Sequence, residues 1–148
     1  MDREEYMELA LERAREAADA GEVPVGYVVV DKNGEIIGRG RNRREQLHDA
    51  SAHAELEAIR QACEATGDWR LTDCSIYVTL EPCPMCAGGI INSRIPTVVF
   101  GAKDENTGSC GRVINLFEER YGHKPAVFGG VKAVESTAIL RSFFENKR

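Results

Sequence analysis

Residues 75–86, Ser75-Ile76-Tyr77-Val78-Thr79-Leu80-Glu81-Pro82-Cys83-Pro84-Met85-Cys86, decide the fold. The first six are β-branched, aromatic or aliphatic and read as a strand. Pro84 then stands where a helix would begin, at a position whose N–H has no intrahelical partner in any case. That helix reads on to about Arg94, and Pro96 bounds it. Thr97-Val98-Val99-Phe100 follows as the next strand. Strands separated by helices pair in parallel through right-handed crossovers.

Working outward toward the start, Asp2 followed by Glu5 resembles a capping box. Good helix formers run from there to Ala20, Gly21 stops them, and Tyr6, Ala10, Ala14 and Ala17 recur at helical spacing. Residues 25–30 (Val25 to Val30) form a strand, Asn33-Gly34 is a strong hairpin signal, and residues 35–38 are the return strand. Residues 52–65 predict a second helix, with Leu56, Ile59 and Cys63 as its apolar stripe. Toward the other end, residues 112–120 predict a short helix and Ala126-Val127-Phe128 a fifth strand. The last helix spans about 132–146, with Ile139, Leu140, Phe143 and Phe144 as the buried stripe. The order α-β-β-α-β-α-β-α-β-α predicts an α/β fold, a three-layer α/β/α sandwich around a five-stranded mixed sheet. No repeat or linker interrupts it, so residues 1–148 read as a single domain.

Composition fits that reading. At 148 residues the chain can bury about 70% of its unfolded surface, and 43% hydrophobic with 29% charged residues argues against disorder. The longest apolar runs, such as Val28-Val29-Val30, fall far short of the roughly 20 residues of a membrane span. The charged start, Met1-Asp2-Arg3-Glu4-Glu5, lacks the apolar stretch of a signal peptide, and a cytoplasmic location is the expectation. A net charge of −5 disfavours a protein that coats long nucleic acid. Arg39, Arg41, Arg43 and Arg44 nevertheless form a local basic run, either a solvated loop or a grip for phosphate. Five scattered cysteines make no disulfide framework; Cys83 and Cys86 alone are close in sequence, which suggests metal or redox chemistry.

His53-Ala54-Glu55 opens one predicted helix and Pro82-Cys83-Pro84-Met85-Cys86 the next. Residues i and i+2 cannot share a side face of a helix, so His53 and Glu55 converge only on something at the helix end. Cys83 and Cys86, at i and i+3, can face one another within a first turn, where the helix dipole favours thiolate. One imidazole and two thiolates suit zinc, and a fourth position left to water separates catalytic from structural sites. Zinc brings the pKa of such a water to about 7, and Glu55 is then the natural proton carrier. The alternatives are a structural zinc completed by Cys63 or Cys74, or a redox pair; Cys63 and Cys74 read better as core, and a redox pair explains neither His53 nor Glu55.

Taken together, these motifs resemble the cytidine and deoxycytidylate deaminase superfamily, and within it the bacterial tRNA-specific adenosine deaminases. The resemblance runs through residues 22–26, 40–42, 52–55, 77–88, 92–95, 99–104 and 107–108. It implies a cytidine deaminase-like fold in which His53, Cys83 and Cys86 hold zinc and Glu55 is catalytic. It further implies that Asn42 contacts the target base, that backbone around Ala54 and Pro82 lines the pocket, that Asp104 lies beside the flipped nucleotide, and that the protein is a homodimer acting on a tRNA anticodon loop. Gly26, inside a strand, suggests close approach of a ligand or of another backbone. Tyr27 and Gly122 depart from the family pattern, as do residues 109–112 and the Lys124-Pro125 turn. The expected activity is conversion of adenosine to inosine at the tRNA wobble position. Competing expectations are deamination of a free nucleobase or nucleoside (guanine, adenine or cytosine type) and a non-enzymatic zinc-stabilised module.

Overall fold

The computed structural model describes residues 1–146. Its elements run α1 (Arg3–Asp19), β1 (Gly26–Val30), β2 (Ile36–Arg41), α2 (Arg44–Leu47), α3 (Ala54–Thr66), β3 (Ser75–Leu80), α4 (Pro84–Ser93), β4 (Thr97–Ala102), a 3-10 turn (Leu116–Glu118), β5 (Ala126–Phe128) and α5 (Ala133–Asn146). The strands form one sheet in the order β2-β1-β3-β4-β5. β1 pairs antiparallel with both β2 and β3, while β3–β4 and β4–β5 are parallel. The mixed five-stranded sheet is therefore as expected.

Side-chain alternation along β1 sorts the two faces. Val25, Tyr27 and Val29 join the core under α3 and α4, with Ala54, Ala58, Ala62, Ala87 and Ile90. Val28 and Val30 face the other way, toward Tyr6, Met7 and Ala10 of α1. With α5 also packed on that second side, the three layers are complete. The capping box forms: Glu5 N–H donates to Asp2 Oδ1 at 2.9 Å and Asp2 N–H to Glu5 Oε1 at 3.4 Å. The hairpin turns through Gly34 at φ +82°, with Asp31 Oδ1 accepting from Asn33 and Glu35 N–H.

Several local expectations shift. The α3 stripe against the sheet is Ala54, Ala58 and Ala62, whereas Leu56, Ile59 and Cys63 are only half-buried. The reason lies opposite, in β2. A Cβ on Gly40 would stand 1.9 Å from the Ala54 carbonyl oxygen, and one on Gly38 would stand 2.1 Å from that of Ala58. Two strand glycines admit the helix backbone itself, and only alanines fit beneath it. Gly26 plays the same part for α1, since a Cβ there would lie 2.0 Å from Ala10 O; the close approach expected at Gly26 is made by this helix and not by a ligand.

The helix predicted over 112–120 shrinks to the 3-10 turn. Val113 N–H donates to Gly108 O and Leu116 N–H to Ser109 O, which folds the segment back on residues 108–110. An extra helix, α2, occupies what read as loop. β2 also extends through Arg41, past the expected end at residue 38. On α5 Phe143 is buried, while Phe144 is 53% exposed.

The α3–β2 contact generates a test. Gly38→Ala adds a methyl where only backbone can yield, so overpacking costs about 1–3 kcal/mol, more than the roughly 0.5–1 kcal/mol that glycine concedes to alanine within a strand. Chemical denaturation should show that loss; a variant as stable as the parent would remove this contact as the determinant of how α3 sits.

Candidate active site

α3 and α4 both start at the end of the sheet where β3 delivers the chain to Cys83. His53 is the N-cap residue of α3, with extended backbone (φ −83°, ψ 147°), and Cys83 is the N-cap of α4 (φ −75°, ψ 171°) with Pro84 as its first helical residue. A Cβ on Gly89 would lie 2.9 Å from Leu56 Cδ2, so this glycine of α4 accommodates a side chain of α3. The two first turns thereby meet. One candidate ligand atom from each of His53, Glu55, Cys83 and Cys86 lies within 4.8 Å of the others, a group that could hold a metal ion. His53 Nδ1 is 3.3 Å from Cys86 Sγ and 3.6 Å from Cys83 Sγ.

The protonation states respond to this crowding. Cys83 is pulled down to about 4, chiefly by the hydrogen bond that the Cys86 thiol offers its sulfur, with His53 helping. Cys86 is pushed the other way by burial and by the neighbouring Cys83 thiolate. The opposed shifts reflect two sulfurs crowded against each other, and metal binding at such thiols displaces their protons. Cys83 as hydrogen-bond partner raises His53. Glu55, 3% exposed, is lifted to about 7, mainly by desolvation. Its Oε2 accepts a hydrogen bond from the hydroxyl of Tyr27, which is itself fully buried.

Beside the cluster lies a cavity of about 150 Å³. Tyr27, His53, Glu55 and Cys83 line it together with Val23, Val25, Asn42, Arg44, Leu80, Glu81, Asp104 and Thr107. Asn42 is braced: Nδ2 donates to Val23 O and Oδ1 accepts from Ala54 N–H, both at 3.2 Å. One amide hydrogen and one lone pair remain on it. Asp104 closes a local turn, its carboxylate accepting from Asn106 N–H, Thr107 N–H and Thr107 Oγ1. Ala54 and Pro82 stand behind the lining, with Pro82 O accepting from Ser109 N–H at 2.9 Å. Gly26 is not in the wall. Of the four arginines, Arg43 pairs with Glu57 at 2.9 Å and Arg41 donates to Asn42 O and Gln46 Oε1; Arg44 reaches the cavity.

Two anchors lie in stretches that carry the resemblance, 22–26 and 77–88, but sequence reasoning does not single them out as site residues. Glu22, 1% exposed, accepts from Glu45 and Gln46 N–H at 3.0 and 2.7 Å and so fixes the start of α2, just past Asn42 and Arg44. Glu81, 2% exposed, accepts from Asp104, Cys110 and Arg112 N–H at 3.1, 2.8 and 3.1 Å. Gly108 leaves room for it, since a Cβ there would fall 2.4 Å from the Glu81 carboxyl carbon. Each carboxylate secures a segment far away in sequence that supplies wall residues.

The MafB19-like deaminase family matches residues 1–148. The tRNA-specific adenosine deaminase of Bacillus subtilis is 48% identical over 97% of this chain and 89% of its own length. That of Agrobacterium fabrum is 45% identical over 99% of this chain and 97% of its own. A solved structure from work on A-to-I editing by tRNA:A34 deaminases at the wobble position of transfer RNA superposes with a TM-score of 0.88 at 44% identity, covering 92% of this chain and 99% of that one.

Glu81→Gln places an amide NH2 among three backbone N–H donors and leaves at least one of them unpaired. The loss should be about 1–3 kcal/mol of stability. Hydrogen exchange should accelerate at residues 104, 110 and 112 in particular; unchanged protection at those amides would refute the anchoring role.

Proposed function

The chain belongs to the MafB19-like deaminases and to the family of tRNA-specific adenosine deaminases, and on that premise we propose that it is a zinc-dependent hydrolytic deaminase converting adenosine to inosine at the wobble position of a tRNA anticodon. One observation carries the reading: an imidazole, two thiols and a buried carboxylate converge within 4.8 Å, and His53, Glu55 and Cys83 of that group line one small cavity. His53, Cys83 and Cys86 would hold the zinc. With Zn–S near 2.3 Å and Zn–N near 2.05 Å, a tetrahedral site puts nitrogen and sulfur about 3.5 Å apart. The separations of 3.3 and 3.6 Å match that spacing. Zinc, when bound, supplies a Lewis acid that makes hydroxide accessible near neutral pH.

The chain's own residues supply the remaining chemistry. Glu55 is buried and poised at about 7, so it can both accept and deliver a proton at neutral pH. It takes one proton from water and delivers it to the ring nitrogen beside the amino-bearing carbon as the oxygen adds to that carbon; it then takes the second proton from the added hydroxyl and delivers it to the amino group, which leaves as ammonia when the carbon–nitrogen bond breaks. The free half of the Asn42 amide faces a base edge, and Asp104 and Thr107 form the side where flanking nucleotides pass. An anticodon loop offers splayed bases that such a cavity can admit singly. We infer a homodimer and a cytoplasmic location from the family resemblance. The match over residues 1–148 supports reading the chain as one deaminase domain. No helix among the described residues is long and apolar enough to cross a membrane.

Two measurements test this. Anticodon stem-loops with a wobble adenosine should yield inosine, Glu55→Ala should slow the reaction about 10²- to 10⁴-fold, and free bases and nucleosides should react poorly. Ammonia released from a free base but not from RNA would overturn the substrate. Separately, the protein should bind one zinc per chain, and His53→Ala or Cys86→Ser should lose it; retention by both variants would exclude the proposed ligands.

A further inference from the structure

We propose that Tyr27 is a positioning residue for Glu55, its hydroxyl holding one carboxylate oxygen so that the other alone handles protons; the role presupposes the deaminase reading above.

The backbone makes the pairing unavoidable. Tyr27 sits mid-sheet, opposite Gly40 on β2 and Val78 on β3. Gly40 is where the first turn of α3 rests on the sheet, its missing Cβ replaced by the Ala54 carbonyl oxygen. Glu55 is the next residue, so the strand neighbour of Gly40 comes under its carboxylate. On this face β1 otherwise carries Val29, with Val25 just before the strand. A phenol there adds a polar atom, and a fully buried hydroxyl requires a partner. The partner it has is Glu55 Oε2.

The hydroxyl reaches Glu55 from the sheet, while the Cys86 thiol of α4 also contacts the carboxylate, and together they restrict how the side chain turns. A glutamate side chain turns about three bonds, and a proton carrier that wanders loses near-attack geometry. The ring of Tyr27 lines the cavity, but its hydroxyl is committed to Glu55, so its influence on the reacting atoms passes through that residue.

Tyr27→Phe removes one oxygen and keeps the ring. For inosine formation on the stem-loop, kcat should fall about 10- to 100-fold, the span expected for a lost hydrogen bond to a charged group, with KM within about twofold and zinc content and thermal midpoint near those of the parent. Wild-type kcat in Tyr27→Phe would overturn the proposal. So would a defect confined to KM, or one explained by lost zinc. A crystal structure of the variant supplies a readout independent of substrate: the Glu55 carboxylate should leave its single position, and a carboxylate that stays in place refutes the role even if the RNA reading stands. Parent protein that makes no inosine would instead reject the substrate, leaving the crystallographic comparison to judge Tyr27.

Discussion

The approach of a helix backbone to a strand backbone governs the molecule. α3 lies on β2 at a separation that any side chain on Gly38 or Gly40 would prevent. Interiors are packed too densely for such a contact to drift, so it fixes the axis of α3 and, at its first turn, the height of His53 and Glu55 above the sheet. α4 is placed by β3 running into Pro82 and Pro84 and by its packing on Leu56 of α3 at Gly89. The site exists where these two placements meet. An error of one ångström in either would separate donors now 3.3 to 3.6 Å apart.

Three buried glutamates then divide the work. Glu22 and Glu81 are surrounded by backbone N–H donors, two for the first and three for the second, which replace much of the water a carboxylate gives up on burial. They act as fixed acceptors that tie the walls to the frame. Glu55 has a tyrosine hydroxyl and crowded thiols instead, and burial lifts it to about 7. The same side chain thus serves as an anchor where amides surround it and stands at the candidate metal site where they do not.

How much of this the sequence disclosed follows from range. The donor set was legible because both motifs are local, and each sits at a helix start that Pro84 or the pattern after His53 announces. The succession of helices and strands along the chain followed from alternation and turns. What escaped depends on pairs far apart in the chain. The alanine stripe of α3 was hidden because Leu56, Ile59 and Cys63 carry more apolar weight at the same spacing, and only the facing glycines reveal which side packs. Glu22 lies in the 22–26 stretch of the resemblance, but nothing local marks it as an anchor, because its partners are 23 and 24 residues away. Tyr27 registered as a departure from the family pattern, with nothing local to connect it to Glu55, 28 residues on.

The arginine run shows the same limit and bears on how an acidic protein could engage RNA. Charge alone suggested four equivalent cations at residues 39–44. The fold distinguishes them: Arg43 is neutralised by Glu57, Arg41 is turned to its own chain, and Arg44 reaches the cavity edge. A net charge of −5 offers little long-range attraction to a polyanion, so in the proposed reaction selection falls to what the cavity admits and not to a broad electrostatic grip. Such a protein gives up tight non-specific binding and relies on a base already displayed by its loop, because extruding one from a helix would require energy that few phosphate contacts can return.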